Sequence, residues 1–258
     1  MPLQGQAFLA LWNDIAAARE REYEQWHTLE HVPERVAVTG IHGARRYVNR
    51  RRRTHRYFTL YDVAGLQVFD SPEYQDLLRN PTPWSAAMRP DFSNFVRAPC
   101  AVRQSAGIGI GAAIACLCTQ GGQAADNRTG AALAHALTMP GVTAAHWGSG
   151  QGGPPTVPWP QQPSAAAAPS APSAPSAPSA PTAPTARAFD TVLLLEALDR
   201  DAAAAALAQL QAALGLADLP PDFGADVYDL AFVFPGADAA EALRHRRPAW
   251  PETGQPHA

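Results

Sequence analysis

Residues 153–187 read GPPTVPWPQQPSAAAAPSAPSAPSAPSAPTAPTAR, with an A-P-S triplet that recurs. Proline at every third position removes backbone donors and favours an extended polyproline helix, and Ser and Ala offer little to bury. Such a stretch belongs inside neither a helix bundle nor a sheet. It reads as a solvated spacer, with P-x-x-P recognition as the other use of this composition. Any core in the 258-residue chain must therefore come from the residues on either side.

With the tract set aside, the chain reads twice in the same order. QAFLALWND (6–14) suits a strand, and a helix follows over about 18–31. The chain turns near Pro33, continues helical to Val38 and stops at Gly40. GIHGARRYV and RYFTLYDV make two strands joined by an Arg-rich hairpin, 72–79 a second helix, and FVRAPCAVRQ a fourth strand. The order β-α-β-β-α-β is the ferredoxin-like unit. After it, IGIGAAIACLCT, DNRTGAALAHALTM, PGVTAAHWG, FDTVLLLEAL, DRDAAAAALAQLQAAL and VYDLAFVFP repeat the same element order, with Asp126 or Asn127 as helix cap. The expected fold is α+β: one unit over 1–104 that carries the site, and a divergent repeat over 105–258 that carries the insertion. Each unit covers only one sheet face with helices, so the bare faces should pack together as a pseudo-dimeric α/β barrel. A further homodimer is compatible with this plan.

Composition narrows the partners. The net charge is -3, and all 20 basic residues are Arg, so no broad basic field favours nucleic acid. Four arginines, Arg50–Arg53, sit together without interleaved aromatics and read as a solvated hairpin tip. No stretch approaches the roughly 20 apolar residues of a membrane span, and no leader pattern opens the chain. Cys100, Cys116 and Cys118 lack metal-ligand spacing and read as reduced thiols, Cys100 as a buried one. A cytoplasmic protein without membrane or nucleic-acid partners is expected.

The first helix carries the chemistry. Within WHTLEHVPERV (26–36), Tyr23, His27 and His31 recur at intervals of four, with Trp26, Glu30 and Glu34 interleaved. That stripe is too polar for a core and too aromatic for a purely solvated face, and suits a helix that lines a small-molecule pocket. H-T-L-E-H also matches H-x-x-E-H, which would use His27 and His31 as zinc ligands with Glu30 as base. Pro33 follows too soon for a long ligand helix, and no second ligand helix is evident. The acid–base alternative needs only one imidazole, His31, in a partly apolar cleft, with Glu30 or Glu34 to raise its pKa and orient it. The bland alternative is a charged surface helix.

EREYEQWHTLEHVPERVAVTGIHGARRY (20–47), SPEYQDLLRNPTPW (71–84) and the N-F-x-R-x-x-C pattern at 94–100 resemble the EthD-like branch of the dimeric α/β-barrel superfamily. The resemblance covers about residues 6–104 and implies a ferredoxin-like barrel with His31 in the position of a general acid or base. The second half lacks W-H-x-x-E-H-x-P-E-R and carries only His135 on its first helix, so one site per chain is implied.

Other residues complete the expected pocket. Strand alternation puts Arg45 and Tyr47 on one face and Arg46 on the other. The inward Arg would hold a carboxylate or enolate, or pair with Glu30 or Glu34. Arg46, Tyr47, Tyr57 and Trp84 join Trp26 and His27 as candidate ligand contacts, with core packing as the alternative for Tyr57 and Trp84. The imidazole is expected to point into a hollow enclosed between the two sheets. These residues suit a cofactor-independent isomerase, lyase or oxygenase-like enzyme of a degradative or secondary-metabolite pathway, acting on a small cyclic or aromatic compound and needing no metal. The alternative is a non-catalytic ligand-binding protein of such a pathway.

Overall fold

The computed structural model describes residues 3–119, 126–150, 190–216 and 224–236; the spacer at 153–187 lies outside them. Eight strands follow the expected order: β1 (Ala7–Ile15), β2 (Ile41–Val48), β3 (Tyr57–Val63), β4 (Phe92–Gly107), β5 (Ala113–Thr119), β6 (Val142–Gly150), β7 (Thr191–Ala197) and β8 (Ala225–Pro235). The main helices are α1 (Glu20–Trp26), α2 (Val32–Val36), α3 (Pro72–Arg79), α4 (Pro83–Met88), α5 (Asp126–Ala136) and α6 (Arg200–Leu214). The side chain of Asp126, one of the two expected caps of α5, is outside the described residues. Helix α6 is capped at its start by Asp199, which accepts the Ala202 N–H at 2.8 Å, and closed by Gly215 in the left-handed region at φ 71°.

The strands form one closed barrel in the order β1-β3-β2-β8-β5-β7-β6-β4, with every neighbouring pair antiparallel. Within the first half the order is β4-β1-β3-β2, and within the second it is β8-β5-β7-β6. This is the strand order of a ferredoxin-like sheet, met twice. The halves join where β2 meets β8 (Gly43 opposite Pro235) and where β4 meets β6 (Cys100 opposite Gly150). Closure satisfies both edges of each four-stranded set, which would otherwise expose unpaired N–H and C=O groups.

Alternation along each strand sorts the side chains. Phe8, Trp12, Tyr47, Phe58, Ile114 and Tyr228 point inward and are fully or almost fully buried, with Cys100, Cys116 and Cys118 among them as free thiols. Leu9, Tyr61 and Val63 of β1 and β3 point outward against the first-half helices. In the second half, α5 and α6 press Leu133, Leu207 and Leu210 onto the outward-facing Leu117, Leu193 and Leu195. The interior is full: a Cβ added at Gly148 would overlap the Phe8 ring and the Cβ of Cys100. Among the described residues, side chains from both halves fill the space between the sheets where a hollow was expected. No helix among the described residues is long and apolar enough to cross a membrane.

At one end the interior turns polar. Arg45 of β2 and Tyr47 do share a face, as parity requires, but Arg45 pairs with Glu196 of β7 rather than with Glu30 or Glu34. The same Glu196 oxygen accepts from His146 Nε2 at 3.0 Å, and its other oxygen accepts the Gly111 N–H at 2.8 Å. His146 Nδ1 lies 2.9 Å from Ser105 Oγ, which itself accepts the Leu3 N–H at 2.9 Å. Burial alone would raise the Glu196 carboxyl. The His146 hydrogen bond, the Arg45 charge and the Gly111 N–H outweigh it and hold the group below the ordinary value of 4.5. A carboxyl depressed by folding stabilises the fold above its unfolded value, and that contribution is lost as pH falls through the folded value.

Two outcomes follow for urea unfolding. Arg45→Ala, which strands Glu196 without its cation, should cost about 3–5 kcal/mol. Glu196→Gln should flatten the acid-side loss of stability below pH 4.5 relative to the wild type.

Candidate functional site

The helical run that carries the H-T-L-E-H segment is not regular. Between α1 and α2, His27–His31 form a single π-helical turn, in which the Val32 N–H reaches back five residues to the His27 carbonyl. The physical reason sits two residues on. Pro33 has no N–H to donate, and in a regular helix its ring would crowd the carbonyl of residue 29. A wider turn before it relieves that contact, so the helix continues through Pro33 instead of turning there. Such turns inside helices recur at functional sites.

The wide turn keeps His27 and His31 on one side, with ring centroids 5.3 Å apart, facing the outer surface of β1, β3 and β4. His31 lies against Trp26, centroids 4.4 Å apart, and His27 against Tyr23 at 5.3 Å. Between these rings and the sheet is a cavity of about 60 Å³. That is room for roughly four waters or a comparably small group. Its apolar walls include Trp26, Tyr74, Phe92 and Phe95, and its polar groups include Asn13, Thr59, Tyr61, Ser85, Arg35, Arg89 and Arg97. Among the described residues no carboxylate lines it.

Both imidazoles are held neutral. Burial, then the Arg46 charge, then His31 push His27 well below the ordinary 6.5; burial, then the Arg35 and Arg89 charges, push His31 the same way. The sequence leads one to expect Glu30 or Glu34 to raise His31; the shift runs in the opposite direction, because burial disfavours the charged ring and the charges that act on it are those of Arg35 and Arg89. The His31 Nδ1 is buried without a hydrogen-bond partner, as is His27 Nδ1, while His27 Nε2 lies 3.5 Å from Thr59 Oγ1. The tyrosine hydroxyls at the cavity are protonated too: burial raises Tyr23 to about 12 and pushes Tyr61 further up.

Of the residues singled out from sequence, Trp26, His27 and His31 line the cavity. Glu30 does not. It accepts from Thr82 Oγ1 at 2.5 Å and Ser85 Oγ at 3.3 Å, and Ser85 Oγ in turn accepts the Trp26 indole N–H at 3.1 Å. Glu30 thus fixes Trp26 through Ser85 rather than tuning His31. Glu34 is buried but outside the lining. Arg46 donates to Thr28 Oγ1 at 3.0 Å and to the Glu24 carbonyl at 3.3 Å. It acts on His27 only through its charge. Tyr47 is interior, Tyr57 donates to Glu20 at 2.9 Å, and the Trp84 indole donates to Glu22 at 3.1 Å. None of these last four touches the cavity. Two of the hairpin-tip arginines are ion-paired, Arg50 with Glu24 and Arg52 with Asp226, both at 2.8 Å.

Sequence reading missed Arg35, Arg89, Arg97 and Tyr61. Tyr61 was within reach, since Tyr57, Thr59 and Tyr61 share one face of β3 by parity. Arg35 stands in the quoted P-E-R, and Arg97 in N-F-x-R. Among the described residues no three His, Cys, Asp or Glu side chains gather as a metal-binding set, and Glu30, which the zinc reading needs as base, is turned onto Thr82 and Ser85.

No protein-family model matches the chain, and no curated protein matches it by sequence. Its shape does have relatives. An anthrone oxidase-like protein aligns with TM-score 0.58 and 9% identity over 93% of this chain and 97% of its own. A proposed monooxygenase of Fusobacterium nucleatum subsp. nucleatum aligns with TM-score 0.48 and 12% identity over 90% and 95%. A ferredoxin-fold protein of Listeria monocytogenes, related to antibiotic biosynthesis monooxygenases, aligns with TM-score 0.39 and 9% identity over 89% and 97%. The first of these likenesses shows a shared fold, and the ferredoxin-like strand order is that of the sheet itself.

An imidazole depressed by folding is neutral where its unfolded counterpart is already charged, so it stabilises the fold above 6.5 and that contribution fades as pH falls below this value. In a histidine NMR titration, the His27 and His31 rings should show no protonation at 6.5, where an exposed ring is half charged. His31→Gln should make stability less sensitive to acid over the same range.

Proposed function

We propose that the chain is a small-molecule enzyme that performs cofactor-independent acid–base chemistry on a small cyclic or aromatic compound, with His31 as the acid–base group. The observation that carries this reading is the His31 Nδ1, buried and unpartnered at the wall of a cavity. A buried polar atom left without a partner costs on the order of 1–3 kcal/mol, which a ligand proton or acceptor would recover. A neutral imidazole kept away from carboxylates takes a proton readily only when an anion develops beside it. Arg35 and Arg89 supply the positive charge that favours such an anion. In the simplest cycle His31 removes a proton from carbon next to a carbonyl, leaving imidazolium and enolate, and returns it at the same or a neighbouring carbon. Trp26, held through Ser85 and Glu30, orients the ring of the compound. Tyr61, protonated and lacking a partner, offers a hydrogen bond to the enolate oxygen.

The EthD-like branch is our reading of the first half, supported by the motifs at 20–47, 71–84 and 94–100. We also read the two β-α-β-β-α-β halves, 1–104 and 105–258, as a pseudo-dimer packed face to face, with the site in the first. The repeated strand order supports this. The second half, where Leu and Ala fill the space under α5 and α6, has a structural role in this reading.

The test is hydrogen–deuterium exchange at carbon. Protein in D2O is mixed with small enolisable ring ketones, cyclohexanone and 2-indanone first, and exchange is followed by proton NMR. The wild type should speed exchange of at least one, and His31→Gln should slow it by roughly 10²- to 10⁴-fold. The rate should hold steady as pH drops to 6.5, because the base form persists below that value. A His31→Gln protein that matches the wild type ends the role of His31. Ligand binding without exchange supports the auxiliary-protein alternative instead.

A further inference from the structure

We propose that the cavity selects an anion: Arg35, with Arg89 and Arg97 beside it, holds the carboxylate of a small aromatic ligand whose ring lies against Trp26 and Phe92. This rests on the cavity being a ligand site, as argued above, and adds the charge and shape of what fills it.

Four other arginines of this half show what a guanidinium does where a carboxylate is within reach, while Arg46, also buried, uses Thr28 Oγ1 and the Glu24 carbonyl. Arg19 pairs with Glu22 and Asp91, Arg52 with Asp226, Arg56 with Glu20, and Arg45 with Glu196. Arg35 does not follow them. It is only 7% exposed, and its Nη1 is buried with no hydrogen-bond partner. A guanidinium stays charged in proteins, so it cannot escape burial by shedding a proton as an imidazole can.

Its neighbours add to the imbalance. Burial and the Arg35 charge lower Arg89, so the two cations face each other, and among the described residues the lining holds no carboxylate. Arg89 Nη2 reaches the Leu78 carbonyl at 2.9 Å. Arg97 lies 5.0 Å over the Phe69 ring and 6.0 Å from that of Tyr74, and its Nε is buried without a partner. The Tyr61 hydroxyl is a further buried donor without a partner. Several donors around one small space, with no acceptor of full charge among them, are complementary to a planar oxyanion that accepts two parallel bonds from a guanidinium. The aromatic walls favour a ring attached to that anion over a bare inorganic ion, which would leave Trp26 and Phe92 uncovered.

Titration calorimetry with sodium benzoate, neutral benzamide and inorganic phosphate tests this. Benzoate should bind roughly 10- to 100-fold more tightly than benzamide, the range expected for charge-assisted hydrogen bonds, and more tightly than phosphate. Arg35→Met should erase that preference and raise the unfolding midpoint of the ligand-free protein, because it removes a buried charge that has no partner. Arg35→Lys, which keeps the charge but not the fork, should fall between. Benzoate no tighter than benzamide overturns the proposal, as does an Arg35→Met protein that is less stable yet binds benzoate as before. Phosphate binding above benzoate assigns the site to an inorganic anion and overturns the aromatic ligand. Ketone exchange that depends on His31, without benzoate binding, sinks this inference alone. Benzoate binding that survives His31→Gln, without exchange, leaves it standing and removes the catalytic reading.

Discussion

Inside the barrel a guanidinium from one half of the chain meets a carboxylate from the other, and the rest of the molecule is arranged around that meeting. Glu196 takes Arg45, His146 and the Gly111 N–H at once, and through Ser105 the network reaches the backbone at Leu3. Buried ion pairs of this kind add little net stability over an apolar replacement, but they penalise misalignment heavily. A shift of β2 against β8 by one residue would turn Arg45 outward and leave Glu196 buried without its cation. The pair is thus suited to fix the register between the halves, while Phe8, Trp12, Phe58 and Tyr228 supply the burial.

Because the interior is spent on packing, the candidate site lies on the outer face of the sheet. There the first half departs from the economy of the second. Under α5 and α6 the space is closed by Leu and Ala; under the first helix it is left partly open and ringed by groups that cost stability. Two neutral histidines, a guanidinium without a counterion and a tyrosine hydroxyl without an acceptor sit within one wall. Native proteins retain such features where a ligand compensates for them.

Much of the architecture was legible from the chain. Eight strands could be read as apolar runs bounded by turn residues, buried on both faces in β1, β3, β5 and β7, and the repeat of element order showed once the Pro-rich tract was set aside. Parity also separated Arg45 from Arg46. Its partner was not legible, since Glu196 lies 151 residues away and only closure of the barrel brings it near. The site was legible in part. His27, His31 and Trp26 followed from helical spacing. Glu30 was assigned to the imidazole because it is its neighbour in sequence, whereas α4 offers it Thr82 and Ser85 instead. Arg89 and Arg97 come from segments that no local pattern links to the first helix. The expectation of a hollow between the sheets failed on side-chain volume, which element order does not report.

The π-helical turn has a consequence for how this helix can change. A turn of that kind holds one residue more than a regular one, and its outer side carries Leu29, 48% exposed. Tightening this turn to ordinary winding with no residue lost would swing everything downstream by about one residue's rotation, roughly 100°, carrying His31 and Arg35 off the wall together while His27 stayed put. Pro33 resists that outcome, because ordinary winding would press its ring onto the carbonyl behind it. The proline therefore acts as a ratchet on the helix phase, and a chain without it would be free to lose the pocket by rewinding alone.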